Sequence, residues 1–307
     1  MKNISIIGSG SFGCALAYIL SKRNNVKIWS YTKEEADMIN NEHRCMFLKN
    51  LLLDNSIKCY LNYEEAISNS EIIILVTPSS VFKQTCTNIK EYVTNQEIVI
   101  ATKGMVNDKL LSHIVKEELG KESTVISGPS HAEQIVRNIP TFIDYSGNID
   151  IKDVFETDTF KLNYIDDKIG IEVGASLKNI LSLGCGILEG MNYESNTISY
   201  FITEGLKEIK EIGLVLGSKE NTFYGLSGLG DLLTTAFSMD SRNKRAGLLI
   251  GKGKTLDEVK NEIGMTIEGL DSLKCAYLLI EKYNLECKLI KSIYDVIYCK
   301  KELKSIF

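Results

Sequence analysis

At 307 residues the chain is longer than one ordinary core organises and suits two domains, each large enough to bury a stable interior. Its hydrophobic fraction of 44% and charged fraction of 24% are those of an average globular protein, which sets aside disorder and fibrous repeats. A formal net charge of -5 argues against a nucleic-acid partner, because phosphate backbones bind surplus Lys and Arg; an anionic small molecule would require a local basic pocket.

The first half alternates strand-like and helix-like patterns. Ile4–Ile7 is a short apolar run, Cys14–Leu20 has helical spacing, Val26–Trp29 reads as a strand, and Thr32-Lys33-Glu34-Glu35 has the form of a helix-opening capping box. Ile72–Val76 and Ile98–Ala101 are β-branched runs suited to strands covered on both faces, and Val125–Ser127 is a further strand ending at Gly128-Pro129. Such alternation predicts a doubly wound α/β domain, with ligands at the carboxyl ends of its strands. From about residue 171 the pattern turns helical. Ile198, Phe201, Ile202, Leu206, Ile209, Ile212 and Leu216 form one apolar stripe, Thr255-Leu256-Asp257-Glu258 is a second capping box, and Leu270–Tyr283 again has helical spacing. The expected division is 1–168 and 169–307.

Eight cysteines are scattered singly, with no C-x-x-C pair and no cluster with His at ligand spacing, so they read as reduced thiols and no metal is expected. The N-terminus lacks the apolar stretch and cleavage site of a secretory signal, and no uninterrupted apolar run reaches about 18 residues. No membrane span and a cytoplasmic location are therefore expected.

Gly8-Ser9-Gly10-Ser11-Phe12-Gly13 joins the first strand to the first helix, the context a dinucleotide-binding G-x-G-x-x-G turn requires. Gly8 permits the tight turn, Gly10 lets backbone approach a pyrophosphate, and Gly13 lets the helix lie close to the sheet. Trp29-Ser30-Tyr31-Thr32, at the end of the second strand, offers no Asp or Glu for a ribose hydroxyl. Lys33 nearby either meets a 2′-phosphate or is a solvated first-turn lysine, so NAD and NADP both stay open.

Within the apolar stretch Val173–Leu188 the one charged residue is Lys178. A lysine there either snorkels to an edge or has its pKa lowered, and a lowered pKa makes an amine able to exchange protons near neutral pH. Lys103 stands beside Gly104 after a strand, either at a ligand site or as a solvated loop residue. Ser241-Arg242-Asn243 reads as a helix start able to hold phosphate, or as an N-cap beside a surface charge; Asp231 sits in a glycine turn, Gly228-Leu229-Gly230-Asp231.

The blocks GSGSFGCALA, TKG, SGPSHA, EVGASLKNIL, GLSGLGDLLTT and SRNKRAG occur in the order found in bacterial-type NAD(P)-dependent glycerol-3-phosphate dehydrogenases, which the chain resembles over nearly its whole length. The resemblance implies a Rossmann-type N-terminal domain with a parallel-rich sheet, an all-helical C-terminal domain, a homodimer, a phosphorylated small-molecule substrate, NAD or NADP, and interconversion of dihydroxyacetone phosphate and glycerol 3-phosphate for glycerophospholipid synthesis. It makes Lys178 the proton acceptor, with Lys103 and Asp231 beside it. It places Lys103, Gly128, Ser130, Lys178, Asp231, Ser241, Arg242 and Asn243 around the substrate. Gly8, Gly10, Ser11, Phe12, Gly13, Lys103, Ala132, Arg242 and Glu268 would line the cofactor.

Four departures from the family stand out. Phe12 replaces the usual Trp, no Arg or His stands near Tyr31, His131 replaces a Phe and reads as a packing change, and the segment 146–164 is short enough to reduce an edge helix. A ketopantoate or 3-hydroxy-acid dehydrogenase would carry a carboxylate site in place of Ser241-Arg242-Asn243. A cofactor-sensing regulator would have no use for Lys103 and Lys178.

Overall fold

The computed structural model describes residues 1–239 and 241–306. The chain divides into two units, Met1–Thr102 with Leu111–Lys168, and Lys103–Leu110 with Ile169–Phe307.

The first unit is built on eight strands: β1 (Asn3–Ile7), β2 (Asn25–Trp29), β3 (Lys58–Tyr60), β4 (Ile72–Leu75), β5 (Glu97–Ile100), β6 (Ser123–Ser127), β7 (Thr141–Ser146) and β8 (Phe160–Tyr164). They lie in the order β3-β2-β1-β4-β5-β6-β7-β8. Every neighbouring pair is parallel except β6 with β7. The continuous apolar runs are explained by this position, because β4 is buried along its length and β1 at all but its first residue. Chain order reverses between β1 and β4, and that reversal opens a crevice at their carboxyl ends.

Helix α1 (Ser11–Leu20) leaves β1 through the glycine turn and buries Cys14, Ala15, Leu16, Ala17, Ile19 and Leu20. The short helix α2 (Lys33–Asp37) starts on Thr32, whose hydroxyl accepts the Glu35 N–H at 3.3 Å. The second half of the expected capping box is absent. The Thr32 N–H goes to Ser30 Oγ at 3.3 Å, while the Glu35 carboxylate turns toward Ser9 and Ser30. At Thr255 the same motif closes fully, Glu258 Oε2 accepting the Thr255 N–H at 2.8 Å. Between β7 and β8 the edge helix is a single turn, Lys152–Phe155.

In the second unit, residues 169–306 carry helices and no strand among the described residues, and the hairpin Met105–Val106 with Lys109–Leu110 joins them. Helix α3 (Lys168–Gly190) is buried without interruption from Gly170 to Leu188. By length and composition α3 could cross a membrane, but its apolar window is wholly enclosed by protein, which makes it the core helix of this unit. Around it lie α4 (Ser195–Val215), α5 (Asp231–Phe237), α6 (Arg242–Gly251), α7 (Glu268–Tyr283) and α8 (Lys288–Tyr298). On α4 the stripe Ile198, Phe201, Ile202, Leu206, Ile209 and Ile212 is buried.

Glycine pairs spaced one turn apart on α3 and α6 let the two backbones touch. A Cβ at Gly186 would lie 2.1 Å from the Lys244 carbonyl oxygen, and one at Gly247 would lie 2.0 Å from that of Leu183. Gly190 and Gly251 repeat the arrangement, at 2.5 Å from Leu248 O and 2.1 Å from Ile187 O. Because these neighbours are backbone, a methyl group forces the helices apart. Gly247→Ala should therefore destabilise the protein by about 1–3 kcal/mol, the usual cost of overpacking a core. The urea midpoint measures this, and an unchanged midpoint would contradict the close approach.

Candidate active site

The glycine turn is held from both sides. The Gly8 N–H donates to Trp29 O and the Val76 N–H to Ile7 O, each at 3.1 Å. Gly8 adopts φ +129, and a Cβ there would lie 2.9 Å from Val76 O; at Gly13 one would lie 2.1 Å from Gly8 O. These two glycines are required by the turn itself. Gly10 is different, since a Cβ there meets nothing within 4 Å, so the space above it is open to a ligand. Gly10 is also the N-cap of α1 and contributes no capping side chain. The Cys14 N–H is the first to find a helix carbonyl, Gly10 O at 2.9 Å, leaving the N–H groups of Ser11, Phe12 and Gly13 for an acceptor outside the helix. A diphosphate fits these donors and the positive end of the helix dipole.

After β6 the first unit makes a second glycine turn. Gly128 has φ +155 and a Cβ there would lie 2.9 Å from Ile143 Cα, so no other residue fits. Ser130 Oγ donates to Gly128 O at 2.9 Å, and half-buried His131 is the N-cap of the short helix that begins at buried Ala132.

In the second unit, Lys178 projects from the middle of α3 and is 5% exposed, yet it is not isolated. Its Nζ lies 2.5 Å from Asp231 Oδ1 and 2.6 Å from Thr235 Oγ1. The other oxygen of the same carboxylate, Oδ2, accepts from Lys103 Nζ at 2.8 Å. One carboxylate, itself 2% exposed, thus serves two ammonium groups. Burial pushes the Lys178 pKa down to about 8; Asp231 opposes that and Lys103 adds to it. The Thr235 hydroxyl donates onward to Asp231 O at 2.7 Å, which orients its lone pairs toward Lys178.

A second polar cluster adjoins the first. Ser241 caps α6 by accepting the Lys244 N–H at 3.2 Å, and its hydroxyl lies 3.2 Å from that of Ser182 on α3, which also donates to Thr235 O. Asn243 spans from Asn179 Oδ1, at 2.9 Å, to the Gly269 N–H, at 2.8 Å; Asn179 in turn donates to Glu268 Oε2 at 3.1 Å. Arg242, half-buried, occupies the first turn of α6. The helix start, a guanidinium and buried polar groups together suit an anionic ligand.

The expected residues thus fall into two sets. Gly8, Gly10, Ser11, Phe12, Gly13, Gly128, Ser130 and Ala132 belong to the first unit, and Lys103, Lys178, Asp231, Ser241, Arg242, Asn243 and Glu268 to the second. Lys103 follows the sheet strand β5 in sequence but groups with the helical unit. Sequence reasoning missed Thr235, Asn179 and Ser182. Thr235 was accessible in principle, because it lies one helical turn beyond Asp231 and so shares its face.

Comparison with known proteins agrees with this architecture. Residues 3–148 match the family model for the NAD-dependent glycerol-3-phosphate dehydrogenase N-terminus, and residues 167–307 match that for its C-terminus. The glycerol-3-phosphate dehydrogenase [NAD(P)+] of Fusobacterium nucleatum is 40% identical, the match covering 98% of this chain and 94% of that protein. One of the same description from Clostridium botulinum is also 40% identical, over 99% and 95% of the two chains. Among solved structures, glycerol-3-phosphate dehydrogenase from Coxiella burnetii superimposes with a TM-score of 0.96 at 32% identity, covering 99% of this chain and 97% of that one. The chain belongs to the NAD-dependent glycerol-3-phosphate dehydrogenase family.

Proposed function

We propose that the chain is an NAD(P)-dependent dehydrogenase that interconverts sn-glycerol 3-phosphate and dihydroxyacetone phosphate. Beyond the family, the observation that carries this reading is the buried Lys178 amine, whose pKa burial lowers to about 8 against the opposing pull of one carboxylate shared with Lys103.

In this reading residues 1–168 form the dinucleotide-binding domain and 169–307 the substrate domain. Gly8, Gly10, Ser11, Phe12 and Gly13 hold the dinucleotide phosphates, with Ala132, Lys103, Arg242 and Glu268 as further cofactor residues. When bound, the nicotinamide accepts or supplies the hydride at C2 of the substrate. Neutral Lys178 takes the proton of the C2 hydroxyl as the alcohol is oxidised. In the reverse direction its ammonium polarises the carbonyl and returns the proton. Asp231 and Thr235 hold the Lys178 Nζ so that a lone pair can face the hydroxyl. Ser241, Arg242 and Asn243 position the phosphorylated substrate, as do Gly128 and Ser130; such positioning supplies much of the rate. We further infer a cytoplasmic homodimer that supplies glycerol 3-phosphate for glycerophospholipid synthesis, in keeping with the family resemblance.

An absorbance assay with dihydroxyacetone phosphate and reduced cofactor tests the activity directly. Lys178→Ala should lower turnover roughly 10²- to 10⁴-fold, the span of general acid–base catalysis, while dinucleotide affinity by fluorescence titration stays near that of the parent. A variant with undiminished turnover would remove Lys178 from this role. The pH profile follows from the same amine. Alcohol oxidation uses neutral Lys178, so its kcat/KM should rise with pH and level off above about 8, whereas carbonyl reduction uses the ammonium and should fall above about 8. Asp231→Asn removes the charge that favours the ammonium and should move both limbs to lower pH; unmoved limbs would refute the coupling. Light scattering that gave a monomer mass would overturn the dimer.

A further inference from the structure

We propose that Glu35 is the residue that selects the cofactor, by binding the adenosine ribose of NAD(H) and repelling the 2′-phosphate of NADP(H); this rests on the dinucleotide-binding reading of the glycine turn. Glu35 lies on α2, six residues beyond the end of β2. Its side chain nevertheless returns to the strand end. Oε2 accepts hydrogen bonds from the hydroxyls of Ser9 and Ser30, the latter at 3.1 Å, and those two hydroxyls are 2.8 Å apart. Ser9 stands between the first two glycines of the turn and Ser30 directly follows β2. The carboxylate is therefore held where the glycine turn meets the carboxyl end of β2, the place at which a doubly wound fold receives the adenosine ribose.

Two comparisons within the chain support a ligand-binding role over helix capping. Glu258, in the same T-x-x-E motif, spends its carboxylate on the Thr255 N–H, whereas Glu35 leaves the corresponding N–H to Ser30. Both side-chain contacts of Glu35 fall on Oε2, and among the described residues no hydrogen bond reaches Oε1. A half-buried carboxylate with one uncommitted oxygen is suited to accept from a ribose hydroxyl. The surrounding charge favours the same choice. Between residues 30 and 42 Lys33 is the one cation, set among Glu34, Glu35, Asp37 and Glu42. Lys33, Glu34, Asp37 and Glu42 line one surface depression, where carboxylates outnumber the one cation. A 2′-phosphate brought to this corner meets like charge.

The test is calorimetric binding of NADH, NADPH, ADP-ribose and 2′-phospho-ADP-ribose, so that no turnover is required. The parent should bind NADH and ADP-ribose about ten- to a hundredfold more tightly than their 2′-phosphorylated counterparts, the span of one charge-assisted hydrogen bond. Glu35→Gln should shrink that ratio mainly by weakening NADH, and Glu35→Asp should restore part of it. Equal affinities in the parent, or a ratio that Glu35→Gln leaves unchanged, would overturn the assignment while leaving the dinucleotide site intact. Failure of all four ligands to bind would instead overturn the underlying reading of the glycine turn.

Discussion

A single buried carboxylate organises the charged centre of the helical unit. Asp231 is enclosed in protein and bonded to two lysines, one on each oxygen. An ammonium carried into an apolar helix core loses its hydration, and the energetic penalty is large unless an opposite charge replaces water. Asp231 replaces it for Lys178, yet divides its charge with Lys103. The amine is consequently left between two extremes, neither locked as a cation nor forced neutral, and its pKa of about 8 is the result. A carboxylate pairing with one lysine alone would favour the cation more strongly, and loss of the carboxylate would lower the pKa further.

That balance depends on packing remote from the charges. Lys178 is carried by α3, a helix buried on all sides, and α6 is brought against α3 by the facing glycines at 186, 190, 247 and 251. The close approach places the Ser241 hydroxyl beside Ser182 and carries Asn243 to Asn179, the residue next to Lys178. Small residues thereby convert an ordinary helix pair into a scaffold that sets polar groups against a buried lysine.

Much of the fold was legible because its elements carry strong periodicities. β-branched runs identified β1, β4 and β5, and the stripe from Ile198 to Ile212 identified α4. The doubly wound order followed from the alternation of strands and helices. Lys178 was legible for a different reason, as one charge within a stretch otherwise unable to tolerate it. Thr235, Ser182 and Asn179 were not, because Ser, Thr and Asn occur everywhere and their importance lies in what faces them. Glu35 shows the same limit more sharply. Its motif reads as half of a capping box, and only the fold shows that its carboxylate serves the glycine turn instead.

The amino-acid sequence by itself determined the glycine turn between β1 and α1, the two-part organisation, the buried lysine and the family to which the chain belongs, since each is written in local order or spacing. The tertiary structure alone decided that Lys103 and Lys178 share Asp231, that α3 and α6 meet backbone to backbone, and that the Glu35 carboxylate turns back to Ser9 and Ser30. Periodicity constrains the neighbours of a residue along the chain. Ion pairs and close approaches join positions more than fifty residues apart, as between Lys178 and Asp231, and no local pattern specifies them.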